Sequence, residues 1–192
     1  VAKHNVKKEF NILNNTLKKF KENYIFYYDM LKATNLGIWN MLDDIKNHSH
    51  SDDIKLKLYN IMWNENDIRF RIKNRINQLN DSFLKEEKGY NKTKALFKID
   101  TFNTFLQHNN TIIKILKYKS FCYDSIYIYY NNKLEFLIDN SKEFRFNYIN
   151  NIDNEKNYDM VYVLNTINDV DTLYKITNIS NDIINRYRNI LF

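Results

Sequence analysis

Apolar side chains recur at Val6, Phe10, Leu13, Leu17, Phe20, Tyr24, Tyr27 and Leu31, in alternating steps of four and three. A mean step of about 3.5 matches the helical repeat and keeps one apolar line facing a partner helix. Lys3, Lys7, Lys18 and Lys21 fall roughly a quarter turn from that line, at about 100° per residue. The N-terminal stretch therefore predicts a long amphipathic helix with a basic flank, one side free to meet a second copy of the chain.

The same period continues. Thr34 is a candidate cap for a short helix carrying Leu36, Trp39, Leu42 and Ile45, with Gly37 near a bend. Residues 47–53 read as a polar loop, after which Ser51 or Asp52 can cap a helix facing inward through Ile54, Leu58, Ile61 and Met62. Asn64, Asn66 and Asp67 read as an interruption before another helix with Ile68, Ile72, Ile76, Leu79 and Phe83 inward. Gly89 reads as its stop.

Beyond Gly89 the pattern loosens. Leu96, Ile99, Phe102 and Leu106 suggest a helix, Ile112, Ile115 and Leu116 another, and Met160, Leu164 and Ile167 a third. Leu173, Ile176, Ile179, Ile183, Tyr187 and Ile190 mark a better-defined C-terminal helix. Residues 121–138 are ambiguous, because Tyr127 to Tyr130 look strand-like and Asn131-Asn132 could turn a hairpin. The expected fold is all-α, a multihelical array in one domain over 1–192, with halves 1–88 and 89–192 about Gly89.

Composition enters as a check on that expectation. Two Gly and no Pro disfavour a turn-rich sheet, since Asn alone rarely fills every positive-φ position. That argument is discounted by 32 Asn and 24 Ile against three Ala, which is what AT-rich codons supply. A single cysteine, Cys122, excludes an internal disulfide framework and fits a reducing compartment. No apolar run approaches the roughly 18–20 residues of a membrane span, and the N-terminus shows no signal-peptide core. The expected location is the cytoplasm, with the nucleus a second candidate.

The formal charge of +6 is unevenly spread. Residues 1–21 carry six Lys against Glu9, residues 88–119 seven Lys against Asp100, and residues 120–185 five basic against ten acidic groups. A bipolar molecule suits a polyanionic partner or head-to-tail self-contact.

The motifs of common enzymes are missing. Phosphate loops and nucleophile elbows need flanking glycines, and Gly37 and Gly89 stand alone. Cys122, between Phe121 and Tyr123, reads as core filler. His48, His50, Asp52 and Asp53 have metal-ligand chemistry but read as a solvated loop. Asp43-Asp44 and Glu86-Glu87 are adjacent on helices and point about 100° apart, so neither pair makes an acid–base couple. No catalytic, metal or cofactor site is expected.

The most suggestive cluster is Arg69, Arg71, Lys73 and Arg75, four cations with no acid until Asp81. On a helix, Arg69 and Lys73 flank one side of the apolar line and Arg71 and Arg75 the other. Like charges four apart cost a few tenths of a kcal/mol per pair, which an anionic partner would offset. The competing reading has the stems lying along the core margin with their charges paired elsewhere in the fold. Tyr24, Tyr27, Tyr28, Tyr127, Tyr129 and Tyr130 offer faces that can stack on unpaired bases, although most must fill the core.

In its Lys/Asn/Ile/Tyr-rich composition, size and helical pattern, the chain resembles the gametocyte-specific RNA-binding family of malaria parasites. The resemblance implies two pseudo-symmetric helix-turn-helix halves, a homodimer, RNA binding in sexual development, and contact with signalling or adaptor proteins through SH3 domains. The chain has no Pro, whereas such ligands normally present a PxxP turn. Two functions are thus expected. The first is a non-enzymatic, dimeric RNA-binding module using Arg69, Arg71, Lys73, Arg75, Lys7, Lys18 and Lys21 on phosphates. The alternative is a helical protein-interaction scaffold without nucleic acid. Basic side chains converging on one exposed face would favour the first, and an exposed apolar groove the second.

Overall fold

The segment Lys94–Ile99, KALFKI, changes the fold class. Ala95, Leu96, Phe97 and Ile99 are all fully buried, which a central strand achieves by covering both faces. In the computed structural model this strand, β1, lies in a four-stranded sheet with β2 (Ser125–Tyr130), β3 (Phe146–Ile149) and β4 (Met160–Val163). The order is β3-β2-β1-β4 and every pairing is parallel. The all-α, helix-turn-helix expectation is therefore wrong: the protein is a mixed helix and sheet structure. The structure describes residues 15, 18, 21–46, 50–82, 92–99, 102–130, 144, 146–152, 154–164 and 169–192, with backbone alone for 102–107 and 130.

Leu96 and Ile99 lie on β1 and Met160 on β4, not on the helices that chance spacings of three and four predict there. A short apolar run does not distinguish a buried strand from a helix by period. The β-branched and aromatic content of MVYV and SIYIYY settles it. Asn131-Asn132 lies outside the described residues, as does Gly89. Because β2 and β3 run parallel, they are not the two arms of a hairpin.

Helices α1 (Ile25–Lys46) and α2 (Asp52–Leu79) form an antiparallel hairpin ahead of the sheet. The bend predicted at Gly37 is absent. Thr34, expected as a cap, is buried inside α1 and donates to the Met30 carbonyl at 2.8 Å. Asn64, Asn66 and Asp67 do not interrupt α2, whose inner line runs Glu65, Ile68, Ile72 and Ile76. Tyr24 does break the N-terminal helix, separating residues 21–23 from α1, and its hydroxyl donates to Asn80 Oδ1 at 2.9 Å.

α3 (Phe102–Lys119) connects β1 to β2 as two helical stretches that meet at a kink at His108 (φ −126°, ψ 19°). The kink lies beside the break expected between the helix through Leu106 and the one from Ile112. The expected C-terminal helix is two short ones, α4 (Val170–Ile176) and α5 (Asn181–Arg186). Asn178, at φ 52°, turns the chain between them.

Alternation along the strands assigns the two sheet faces. Ala95, Phe97, Ile99, Ile126, Ile128, Phe146 and Tyr162 belong to one core cluster with Met30, Ile72, Ile112, Ile115, Leu116 and Leu173. Leu96, Tyr127, Tyr129, Val161 and Val163 have the opposite parity and face away from it. Over that reverse face runs the β3–β4 connection, with a 3-10 turn at Glu155–Asn157. Glu155 meets Lys98 at 2.9 Å, and Tyr158 stands edge-on to Tyr127 at 5.2 Å. A right-handed connection that reverses direction across the sheet must change face, so the reduced crossover lies where the winding rule puts it. Among the described residues no helix is long and apolar enough to cross a membrane.

Candidate functional site

Beneath the hairpin, at the amino-terminal edge of β1 and β2, lies an open cleft of about 1060 Å³. One wall is a single face of α1, from Ala33 to Asp44, and another is α2 from Leu58 to Arg71. At 1.5 Å per residue these walls are roughly 16 and 20 Å long, so the cleft is a groove rather than a hole. The end of α3 closes the far side with Tyr118, Lys119, Cys122 and Tyr123, and α5 contributes Asp182, Ile183 and Arg186.

Three polar assemblies line it. In the first, the carboxylate of Glu65 on α2, 4% exposed, pairs with the Arg186 guanidinium of α5. The Tyr187 hydroxyl donates to Glu65 Oε2 at 3.2 Å and shares a hydrogen bond with Thr34 Oγ1 at 2.9 Å. Burial pushes the Glu65 carboxyl above its usual range despite the lowering effect of Arg186, and burial also pushes the Tyr187 phenol up. Gly37 permits this assembly, because a Cβ there would sit 2.7 Å from Arg186 Cζ.

In the second, Arg71 reaches Asp124 through Nε and Nη2, both at 3.4 Å, and Thr93 Oγ1 at 3.2 Å. Asp124 also accepts from the Thr93 backbone N–H at 2.9 Å and hydroxyl at 3.0 Å. Burial alone would raise the Asp124 carboxyl, but the Thr93 hydrogen bonds and the Arg71 charge outweigh it and hold it below its usual value. Thr93 and Asp124 immediately precede β1 and β2, so this assembly ties α2 to the sheet edge.

The third has a different balance. Lys119, the last residue of α3, is 5% exposed. Its Nζ lies 5.2 Å from the Tyr162 ring centroid and 5.9 Å from that of Tyr118, and no described carboxylate forms an ion pair with it. Burial lowers the Lys119 ammonium from its usual value. Next to it, Cys122 Sγ lies 3.7 Å from the Tyr118 carbonyl, and burial raises the thiol more than the Lys119 charge lowers it. The thiol is thus held protonated, consistent with its reading as filler rather than nucleophile.

The structure does not gather the predicted phosphate-binding residues onto one strip. Arg69 and Lys73 lie on one side of the buried Ile68-Ile72-Ile76 line of α2 and Arg71 and Arg75 on the other. Lys73 is exposed, Arg69 and Arg75 are half-buried, and Arg71, with a side chain 13% exposed, turns into the cleft wall. Arg75 Nη1 donates to Gln78 at 3.4 Å. Lys18 is exposed, Lys21 sits 4.8 Å over the Tyr28 ring, and Lys7 lies outside the described residues. Among the described residues no three His, Cys, Asp or Glu come together in a metal-holding group.

The sequence reading gives Glu65, Lys119 and Arg186 no role and places Tyr187 only on the apolar line of the C-terminal helix. Two carried a signal: Glu65 occupies an inner position three residues before Ile68, and Lys119 continues the inner line of Ile112, Ile115 and Leu116. A charge at an apolar position of a periodic helix marks a buried ionic group. The usual ligand crevice of an open parallel sheet lies instead at the carboxyl ends of the strands where winding reverses, here β1 and β4. It leads into 100–101 and 165–168, outside the described residues, and what is described nearby is His108, with Nε2 buried and unbonded, and Asp169, the N-cap of α4.

Fold and site together define an open parallel sheet, covered on one face by helices, with a helical hairpin overhanging a charged groove. Comparison of the chain with protein-family models, curated proteins and solved structures finds no match.

Proposed function

We propose that the chain is a protein-interaction module whose groove receives a basic segment of amphipathic pattern, residues 1–21 of a second copy. The observation that carries this reading is the groove itself: long, open, and apolar on its hairpin side through Ala33, Leu36, Met41, Leu58, Ile61 and Ile68. Leu36 is 58% exposed and Ile61 39%, which an isolated subunit has no reason to leave uncovered along one channel. A length of three to four helical turns suits helix-in-groove recognition, in which anchors recur at three- and four-residue steps.

Charge selects the occupant. The exposed carboxylates Asp44 and Asp182, with the half-buried Asp67, lie along the groove, while its cations Arg71, Lys119 and Arg186 sit deeper. Residues 1–21 bring six Lys and one acid beside the apolar line Val6, Phe10, Leu13, Leu17 and Phe20. This is the chemistry the groove lacks. Nucleic acid is the weaker reading, since the acidic mouth disfavours a polyanionic backbone along the groove and Arg71 is already engaged by Asp124.

Sedimentation of the full chain is the test. A concentration-dependent dimer is expected, weakened at least tenfold by Ile61→Lys in the groove or by Leu17→Lys in the segment, consistent with loss of a buried apolar anchor of roughly 1.5–3 kcal/mol. A wild-type chain that stays monomeric at high micromolar concentration overturns the proposal. So does a dimer indifferent to both changes. A monomer that binds single-stranded RNA with a steep salt dependence would restore Arg69, Lys73 and Arg75 as phosphate contacts.

A further inference from the structure

The charged groups at the groove floor do not cancel. Glu65 is matched by Arg186 and Asp124 by Arg71, which leaves the Lys119 ammonium as a surplus positive charge. The groups facing it confirm the surplus. Cys122 and Tyr123 follow it in the chain and Tyr162 comes from β4, while Arg71 and Glu65 on α2 act on the Cys122 thiol. Tyr118 turns a ring toward it, and the Tyr123 and Tyr162 hydroxyls bond each other at 2.8 Å rather than the amine. Every phenol and the thiol among them is held neutral, its ionisation made harder by burial. An unmatched buried cation is costly, so the amine either gives up its proton or takes an anion, and a perturbed charge in a cleft marks a candidate site.

We propose that the floor of the groove is an anion-binding site, in which the Lys119 ammonium receives an anionic oxygen group, a carboxylate or a phosphate. The rings of Tyr118 and Tyr162 lie within cation–π range of the ammonium, and Lys119 itself lines the groove. The carboxylates of the mouth, Asp44, Asp67 and Asp182, favour an anion carried on a molecule that also bears positive charge. The site does not require the second-copy reading, because a free ligand of this chemistry would serve equally. Within that reading the carboxylate is available as Glu9, the one acid of residues 1–21.

The test is thermal unfolding of the full chain in inorganic phosphate, in acetate and in sodium chloride of matched ionic strength, up to about 50 mM anion. A ligand that binds only the folded state raises the midpoint with the logarithm of its concentration. One or both oxyanions should raise it beyond chloride. Lys119→Met should weaken that response at least tenfold, the loss of a charge-assisted hydrogen bond, and should itself melt higher than wild type without anion. The exposed Lys175→Met should change neither. A response to phosphate alone assigns a phosphate-bearing ligand. A response to acetate alone assigns a carboxylate, and Glu9→Gln then weakens the dimer if the carboxylate is the chain's own. No oxyanion-specific rise, or one that Lys119→Met retains, overturns the site while leaving the groove's partner to be judged by sedimentation. Should Lys119→Met fail to fold, the ε-carbon resonance of Lys119 in the wild-type chain decides, and a resonance unmoved by both anions overturns the proposal.

Discussion

Arg71 and Lys73 are two residues apart on one helix and look alike in the sequence, yet they do opposite things. Lys73 faces solvent, whereas Arg71 lies between Asp124 and Thr93. Changing Arg71 to Gln should cost about 1–2 kcal/mol, the loss of charge-assisted bonds to a mostly buried carboxylate, and Lys73→Gln less than about 0.5 kcal/mol. Equal effects in urea unfolding would contradict the assignment. Asp124→Asn should cost a similar amount at neutral pH, with a pH signature. The folded-state pKa of Asp124 lies below the usual 3.8, so its contribution is complete above that value and is lost as pH falls through the folded-state one. The gap between wild type and Asp124→Asn should therefore close below about pH 3.8 and stay open above it. Glu65 works the other way. Its carboxyl is raised above 4.5, so in the window just above 4.5 falling pH protonates the folded state first and favours it.

At the scale of elements, the hairpin was half readable. The inner lines of α1 and α2 appear in the sequence as spacings of three and four, because a helix packed on one side repeats its apolar residues. Gly37 and the Asn64–Asp67 run signal breaks by local propensity, but tertiary packing carries both helices straight through them. A direct check is Asn66→Ala. Asn66 lies inside a continuous 28-residue helix, so Ala should stabilise the protein by about 0.5 kcal/mol. An unchanged or lowered stability would argue for a real interruption. Of the strands, β2 is signalled by the strand-like Tyr127 to Tyr130, whereas β1 is hidden from periodicity because it is buried on both faces. The groove was unreadable for a different reason. Its walls come from α1, α2, α3 and α5, and no local pattern says that Glu65 will meet Arg186.

For the whole molecule, the joint between hairpin and body passes through Gly37. An Ala there gains about 1 kcal/mol of helix propensity but displaces a guanidinium held by Glu65. Stranding a buried carboxylate costs about 3–5 kcal/mol, so Gly37→Ala should destabilise by roughly 2–4 kcal/mol net. Adding Glu65→Gln should shrink that penalty, measured as a double-mutant cycle, and strict additivity would refute the coupling. The same joint imposes an order in time. Thr34 and Tyr187, 153 residues apart, share one hydrogen bond, and Glu65 waits for an arginine that follows every strand. During synthesis the hairpin is made first, but its groove has no finished floor until the last helix has been added. Contacts of such long sequence separation form late because their loop must first be closed. A nascent chain therefore carries the two walls of the groove long before its floor exists.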